Sequence, residues 1–369
     1  LVIKVVIGAS YGDEGKGQMT DYFASKADGR CCVVLTNGGA QRGHTVEAPG
    51  GLRHVFKHMG SGTLAGADTY CPEQFIINPM VFISEQQEFN RNIMVDKRCM
   101  VTTPWDMMAN CLIEDARGDN RHGSCGMGIW ETIQRNENYD VSFIWDDVSI
   151  RKTDLIFYKM NKIKDYYRKR FDSLGEWKEI FESGALVDKF IKDCIHMSIH
   201  AKDPQLDIYD TLIFENAQGL LLDQSNTEYA PHTTPSNTGI KNVLDICEDI
   251  PNIDSFEVCY VTRSYMTRHG AGRFDAECAK EDINPDMFDE TNVTNDYQGS
   301  LRYGWLDVDD LKRRIDKDFS LIPKKYHPRL SLAVTHLNEY EIPASNFVGY
   351  DKLYLSNGKT RNDIIKKEN

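Results

Sequence analysis

The sequence predicts an α/β fold, a mostly parallel central sheet covered by helices. Five short apolar segments rich in β-branched residues, Ile3–Ile7, Cys32–Leu35, Thr211–Phe214, Glu257–Thr262 and Leu330–Thr335, have the length and composition of buried strands. Charged stretches of helical periodicity separate them, which suits a sheet whose connections cross over its faces. A glycine-rich turn follows the first segment, as where a strand feeds a helix.

Taken in order, the apolar start Leu1–Ile7 is too short for a secretory signal and runs straight into Gly8, so it reads as the first strand. Cys32–Leu35 leads into Asn37-Gly38-Gly39, a turn sequence. Asp154–Phe171 and Trp177–His200 have the alternating charge of an exposed helical pair, and Val308–Asp318 reads as a further helix. Parallel strands carry the polar residues at their carboxyl ends into one crevice, the expected ligand site. Asp282–Gly299 is polar, acidic and Asn-rich, and is expected to be a long loop able to order over a substrate. No repeat, low-complexity tract or linker interrupts the chain, so one domain over residues 1–369 is expected.

With 41% hydrophobic and 27% charged residues the 369-residue chain falls in the globular range, and no apolar run approaches a bilayer span. A net charge of −13 argues against a broad nucleic-acid surface, which needs clustered Lys and Arg, while leaving a single mononucleotide compatible. Ten cysteines without paired CxxC spacing fit a reducing cytoplasm, with no membrane partner.

The run Val5-Val6-Ile7-Gly8-Ala9-Ser10-Tyr11-Gly12-Asp13-Glu14-Gly15-Lys16-Gly17-Gln18 is a strand, a glycine-rich turn and a helix start. Close-set glycines let backbone N–H groups converge on an anion at the positive end of a helix, and a triphosphate is the natural occupant. The loop departs from the Walker A pattern, because Ser10 stands five residues before Gly15 and Gly17, not Ser or Thr, follows Lys16.

A second segment, Asn37-Gly38-Gly39-Ala40-Gln41-Arg42-Gly43-His44-Thr45-Val46, accompanies it. Further on come Phe214-Glu215-Asn216-Ala217-Gln218-Gly219, Pro231-His232-Thr233-Thr234-Pro235-Ser236-Asn237-Thr238 and Thr267-Arg268-His269-Gly270-Ala271-Gly272. Tyr303-Gly304-Trp305-Leu306-Asp307, Val334-Thr335-His336-Leu337-Asn338 and Leu355-Ser356-Asn357-Gly358 complete the set. In content and order these resemble the adenylosuccinate synthetase family over nearly the whole chain, which implies that family's P-loop-NTPase-like fold.

The resemblance implies a ligase that turns a purine 6-oxygen into a leaving group and replaces it with the amine of L-aspartate. Asp13, Lys16 and His44 would be the catalytic set. Asp13 takes the ring N–H proton, Lys16 offsets phosphoryl charge, and His44 bonds the transferring phosphate and the 6-oxygen. Mg²⁺ is the implied cofactor, held by Asp13 and the Gly43 carbonyl. The triphosphate would lie against Gly12, Glu14, Gly15, Lys16, Gly17, Gly43, His44, Thr45, Asn338, Ser356, Asn357 and Gly358. The purine monophosphate would meet Asp13, Gln41, Ser124, Cys125, Gln218, Thr234 and His269, with Gln41 standing where the family has asparagine. Gly299, Ser300 and Arg302 would hold aspartate. Family members are usually homodimers, so a homodimer is implied.

Three departures bear on the substrates. Asn338 replaces an aspartate whose two acceptors suit the ring N–H and 2-amino donors of guanine; an amide offers one donor and one acceptor, the complement of adenine. ATP or dATP is therefore the expected phosphate donor. The arginine-rich run is reduced in Gln298-Gly299-Ser300-Leu301-Arg302-Tyr303 to one arginine, and losing the contact to a ribose 2′-hydroxyl suits a deoxyribose. The chain is also shorter than the common bacterial enzyme. Together these look like the family's phage branch, the 2-aminoadenylosuccinate synthetases, which implies dGMP as acceptor and a host cytoplasm. Some members of that branch carry serine where this chain has Asp13, which keeps IMP in view, and with it an ordinary synthetase using IMP and GTP. A triphosphate-binding switch protein is the alternative from another class; it would hydrolyse slowly and without regard to aspartate.

Overall fold

The computed structural model describes residues 1–118, 123–171, 173–287 and 299–368. The chain enters as β1 (Val2–Gly8), α1 (Lys16–Ser25) and β2 (Cys31–Leu35), then forms a hairpin of β3 (His44–Glu47) and β4 (Arg53–Phe56). After β5 (Asp68–Cys71), α2 (Pro79–Glu88) and β6 (Ile93–Val95) come α3 (Pro104–Arg117), α4 (Ile129–Asn136), α5 (Trp145–Ser149) and α6 (Thr153–Arg170). Next are α7 (Lys178–Glu182), α8 (Gly184–His200), β7 (Ala201–Lys202), β8 (Thr211–Gly219), α9 (Lys241–Cys247) and β9 (Ser255–Arg263). The remainder is β10 (Met266–Arg268), β11 (Glu277–Cys278), α10 (Lys280–Ile283), β12 (Arg302–Gly304), α11 (Val308–Phe319), β13 (Arg329–Thr335), β14 (Lys352–Ser356) and β15 (Ile364–Glu368).

Ten strands form one sheet in the order β15-β14-β13-β9-β1-β8-β2-β5-β6-β7. Every pairing in it is parallel except that of the edge strand β15 with β14. The α/β expectation holds, and the five strands read from the sequence are the consecutive central five, β13-β9-β1-β8-β2. Alternation sorts their side chains to two faces. Ile3, Val5 and Ile7 pack with Val243 of α9 and with Leu311 and Ile315 of α11, while Val6 joins Met19 of α1 and a cluster built from α2, α3, α6 and α8. Among the described residues no helix is long and apolar enough to cross a membrane.

Helix starts follow local chemistry. Thr103 and Asp106 cap α3 reciprocally ahead of Pro104, and the Asp307 side chain caps α11 by accepting from Asp310 N. The helix expected over Trp177–His200 needs correcting. At Ser183 the backbone turns extended (φ −66°, ψ 120°), and α7 and α8 are separate helices. Of the Asp282–Gly299 loop, residues 288–298 lie outside those described; its first residues close α10, and Gly299 has a positive φ of 70°.

One polar cluster sits inside the sheet. Glu257 of β9 accepts from Lys4 (2.7 Å), Lys352 (2.6 Å), Tyr354 (2.7 Å) and Ser331 (2.8 Å). Burial alone would raise its pKa, but the two ammonium groups and the hydroxyls prevail and hold it down to about 2. A carboxylate depressed on folding contributes stability above its unfolded value, near 4.5, and that contribution fades as pH falls toward 2. Urea midpoints of the wild type should therefore drop more steeply between neutral and acid pH than those of Glu257→Gln. The contribution lost is at most about 3 kcal/mol. Parallel pH dependences for the two proteins would refute it.

Candidate active site

The loop from β1 to α1 is shaped by what cannot fit there. Gly12 and Gly15 have positive φ, 117° and 91°, which side chains disfavour. A Cβ on Gly8 would fall 2.4 Å from Glu14 Oε2, and one on Gly17 would fall 2.7 Å from Thr45 O. Gly15 starts α1 without a side-chain cap, so the first-turn N–H groups of a ten-residue helix stay open to an anion. Behind the loop, Arg314 of α11 donates from Nε to Ala9 O (2.6 Å) and from a terminal nitrogen to Ser10 Oγ (3.0 Å). Arg263, at the end of β9, donates from Nε to the Asp13 carbonyl.

Glu14, expected at the triphosphate, lies underneath the loop instead. It is 3% exposed, its Oε1 accepts from Ser10 N (2.9 Å) and Gly12 N (2.7 Å), and its Oε2 pairs with Lys16 Nζ (3.0 Å). The carboxylate braces the loop from inside, since the turn folds its own N–H groups onto the nearest anion. Lys16 Nζ also donates to Gly12 O, so its ammonium is held within the loop.

The second glycine motif brings the β2–β3 connection over this loop. Asn37 ties it to the end of β8 by accepting from Ala217 N (2.8 Å) and donating to Ala217 O (3.2 Å). His44 opens β3, and its Nδ1 lies 2.7 Å from Glu215 Oε1, while Arg42 reaches Glu215 Oε2 at 2.6 Å. Burial foremost and then the Arg42 guanidinium lower the His44 pKa to about 4, against the opposing pull of Glu215. The direction of that shift favours the neutral imidazole. At the end of β8, Gln218 holds a positive φ of 65°, a strained value for a side-chain-bearing residue, which sets it against Gly12.

Asp13, Gly12, Gly15, Lys16, Gly17, Gly43, His44, Thr45, Asn338 and Gly358 all line one cleft at the carboxyl ends of the strands. Asp13 keeps 28% side-chain exposure there, and its Oδ2 is 3.7 Å from His269 Nε2. Asn338 is exposed in the turn after β13. Ser356 is buried, its hydroxyl beside Gln18 Oε1 (3.1 Å) and Gly358 O (3.0 Å), and Asn357 N donates to Asp363 O (3.2 Å). A larger cavity, about 870 Å³, opens at the opposite end of the strands, near Leu1, Asp210 and Asp254, away from every motif.

Other expected residues lie outside that lining. Gln41 Nε2 packs toward Gly38, and Thr234 N donates to Leu222 O (2.8 Å). Ser124 donates to Asn110 Oδ1 (2.6 Å) and its N–H faces Glu114, which anchors the Ser124-Cys125 segment to α3. Arg302 is engaged too. Its guanidinium grips Glu277 at 2.7 and 2.6 Å and donates to the Gly270 (3.2 Å) and Gly272 (2.9 Å) carbonyls. Gly299 and Ser300 are exposed beside it in sequence.

Sequence reasoning missed several residues of the cleft and its support. Gln18 bridges α1 to the loop after β14 through Gly358 O (2.8 Å) and Thr360 O (2.7 Å). Arg263, Tyr265 and Glu339 form a chain on the cleft wall beside His336, with Arg263 donating to Tyr265 OH (2.9 Å) and Tyr265 OH to Glu339. Arg42 and Glu215 were visible only as parts of motifs, and Arg263 and Arg314 gave no signal beyond their charge.

A glycine loop at a helix N-terminus, with a lysine, a carboxylate and a histidine around one cleft of a parallel sheet, defines a phosphate-binding α/β enzyme of the mononucleotide type. Residues 5–317 match the family described as adenylosuccinate synthetase, and the chain belongs to that family. It is accordingly a ligase that forms a carbon–nitrogen bond, condensing aspartate with a purine nucleotide. Among curated relatives, the adenylosuccinate synthetase of Limosilactobacillus reuteri is 28% identical over 332 residues, covering 82% of this chain and 71% of its own length. That of Clostridium beijerinckii is 28% identical over 386 residues, covering 98% and 82%. Two solved structures share the fold. Fully ligated adenylosuccinate synthetase from Plasmodium falciparum superposes with a TM-score of 0.70 at 16% identity, covering 99% of this chain and 87% of that one. Cyanophage S-2L succinoaminodeoxyadenylate synthetase, bound to dGMP and dATP, gives 0.64 at 13% identity, covering 99% and 95%.

Proposed function

We propose that this ligase takes dGMP as its purine acceptor and ATP or dATP as its phosphate donor, forming 2-amino-2′-deoxy-succinyladenylate. The observation that carries the reading is the placement of Asn338 in the cleft that also holds Asp13, Lys16 and His44. An amide there complements the ring acceptor and 6-amino donor of adenine and leaves one guanine donor unmatched. The single arginine, Arg302, in the segment before Gly304-Trp305 supports a deoxyribose acceptor. The shared fold with the cyanophage enzyme, itself bound to dGMP and dATP, supports it further. The curated relatives and the retained Asp13 support IMP as a second acceptor.

In this mechanism Asp13 removes the ring N–H proton of the purine, and the 6-oxygen attacks the terminal phosphorus of the triphosphate. The nucleoside diphosphate leaves, Lys16 and the open N–H groups of α1 spread the phosphoryl charge, and His44 lies against the transferring group. The amine of aspartate then adds at the 6-carbon, and phosphate departs with its oxygen. Arg302, released from Glu277, receives an aspartate carboxylate. Asp13 and the Gly43 carbonyl are hard oxygen donors of the kind Mg²⁺ takes, and in the cleft beside Lys16 they would hold the ion. The ion would supply further charge compensation for the phosphates. A homodimer in the cytoplasm is the assembly the family resemblance supports.

The test is a matrix of dGMP, GMP and IMP against ATP, dATP and GTP, with aspartate, reading succinyl-purine formation by its absorbance. The dGMP reactions with ATP or dATP should have the highest kcat/KM. A clear preference for IMP with GTP would overturn the proposal and leave the ligase class intact.

A further inference from the structure

Arg42 stands two residues before His44, which opens β3. Both side chains face Glu215, in the middle of β8 and 1% exposed. One carboxylate thus receives Arg42 at 2.6 Å and Ser61 N at 3.1 Å on Oε2, and His44 Nδ1 at 2.7 Å on Oε1. Arg42 and Glu215 are both buried, with side chains 1% and 0% exposed. A buried carboxylate without a counter-charge is costly, and the guanidinium compensates it.

The distances decide a tautomer. An unprotonated Nδ1 at 2.7 Å from a carboxylate oxygen would oppose two lone pairs, so Nδ1 carries hydrogen and donates to Glu215. The 3.1 Å approach of Arg42 to the same nitrogen is then a contact between two donors that share an acceptor, not a hydrogen bond. Nε2 is the ring nitrogen turned away from Glu215, and His44 lines the cleft. α1 passes close to this residue, since a Cβ on Gly17 would fall 3.3 Å from His44 Cβ. Lys16 of α1 is the other charge felt at the imidazole.

We propose that Arg42 and Glu215 are a positioning pair that locks His44 in the Nδ1–H tautomer and presents Nε2 to the transferring phosphoryl group. The pair acts through His44 and touches no substrate. Arg42 holds the carboxylate in place and neutralises it, so that Glu215 orients the imidazole. The inference rests on the assignment of His44 to the phosphoryl step and does not depend on which purine or triphosphate is used.

Long-range proton–nitrogen spectra of the ¹⁵N-histidine-labelled, unliganded protein at neutral pH report the tautomer directly. His44 should show a protonated Nδ1 and a bare Nε2. Arg42→Met should show His44 exchanging between tautomers, kcat about 10–100-fold lower, and KM values for both nucleotides changed less than about threefold. Arg42→Lys should recover part of kcat. An Nε2–H tautomer in the wild type, or a folded Arg42→Met protein with wild-type kcat, would overturn the pairing. Should Arg42→Met fail to fold, the wild-type spectrum decides alone. Failure of the dGMP proposal would appear in the substrate matrix and leave the tautomer signal unmoved.

Discussion

Asp13→Ala should lose about 10²–10⁴-fold in kcat, the range a positioned general base contributes, while still folding and binding the triphosphate. The Asp13 carboxylate is part-exposed in the cleft, and the backbone beneath it is held by Arg263 through a carbonyl that the substitution leaves in place. The loop itself is braced by Glu14 and Lys16, so losing the Asp13 side chain removes a proton acceptor without undoing the phosphate cradle. Asp13→Asn separates shape from basicity, because the amide keeps the volume and cannot take the proton. Both variants should still bind triphosphate in calorimetry, with the Mg²⁺-dependent part weakened because Asp13 is also a proposed ligand of the ion. Turnover within twofold of wild type in Asp13→Asn would remove Asp13 as the base.

Asn338→Asp should move the donor preference from ATP toward GTP. A mispaired polar group at the base costs about 1–3 kcal/mol, so kcat/KM for ATP should fall about 5–150-fold while that for GTP rises. The residue is exposed in the turn after β13, so the exchange should leave the thermal midpoint nearly unchanged and act through recognition alone. Its neighbours limit the size of the effect. His336, which has a positive φ of 60°, and Glu339, which accepts from Tyr265, line the same wall and also face an incoming base. An unchanged ratio of ATP to GTP efficiency would show that the base is read by those neighbours.

Legibility in the sequence followed burial and locality. The central strands were visible because both faces are covered, so nearly every residue of Ile3–Ile7 or Cys32–Leu35 had to be apolar. β6, three residues long, and β7, two, are too short to leave a pattern, and β15 alternates weakly because four of its five residues are exposed at the edge. The break at Ser183 rests on a single extended residue between two helical runs, followed directly by Gly184. Glycines announced the phosphate loop, since only they tolerate φ near 117° and 91° at Gly12 and Gly15.

The sequence by itself determined the parallel sheet, the position of the phosphate loop and the residue types that meet above it, because each depends on patterns within a few consecutive residues. Only the tertiary structure decided how the charges pair. Glu14 could be read as a ligand of the triphosphate until the turn closed its own amides around it. Arg42 and Glu215 are 173 residues apart, and Arg302 and Glu277 are 25 apart. A buried charge takes the partner that the fold delivers to it, and no local pattern records which partner that will be.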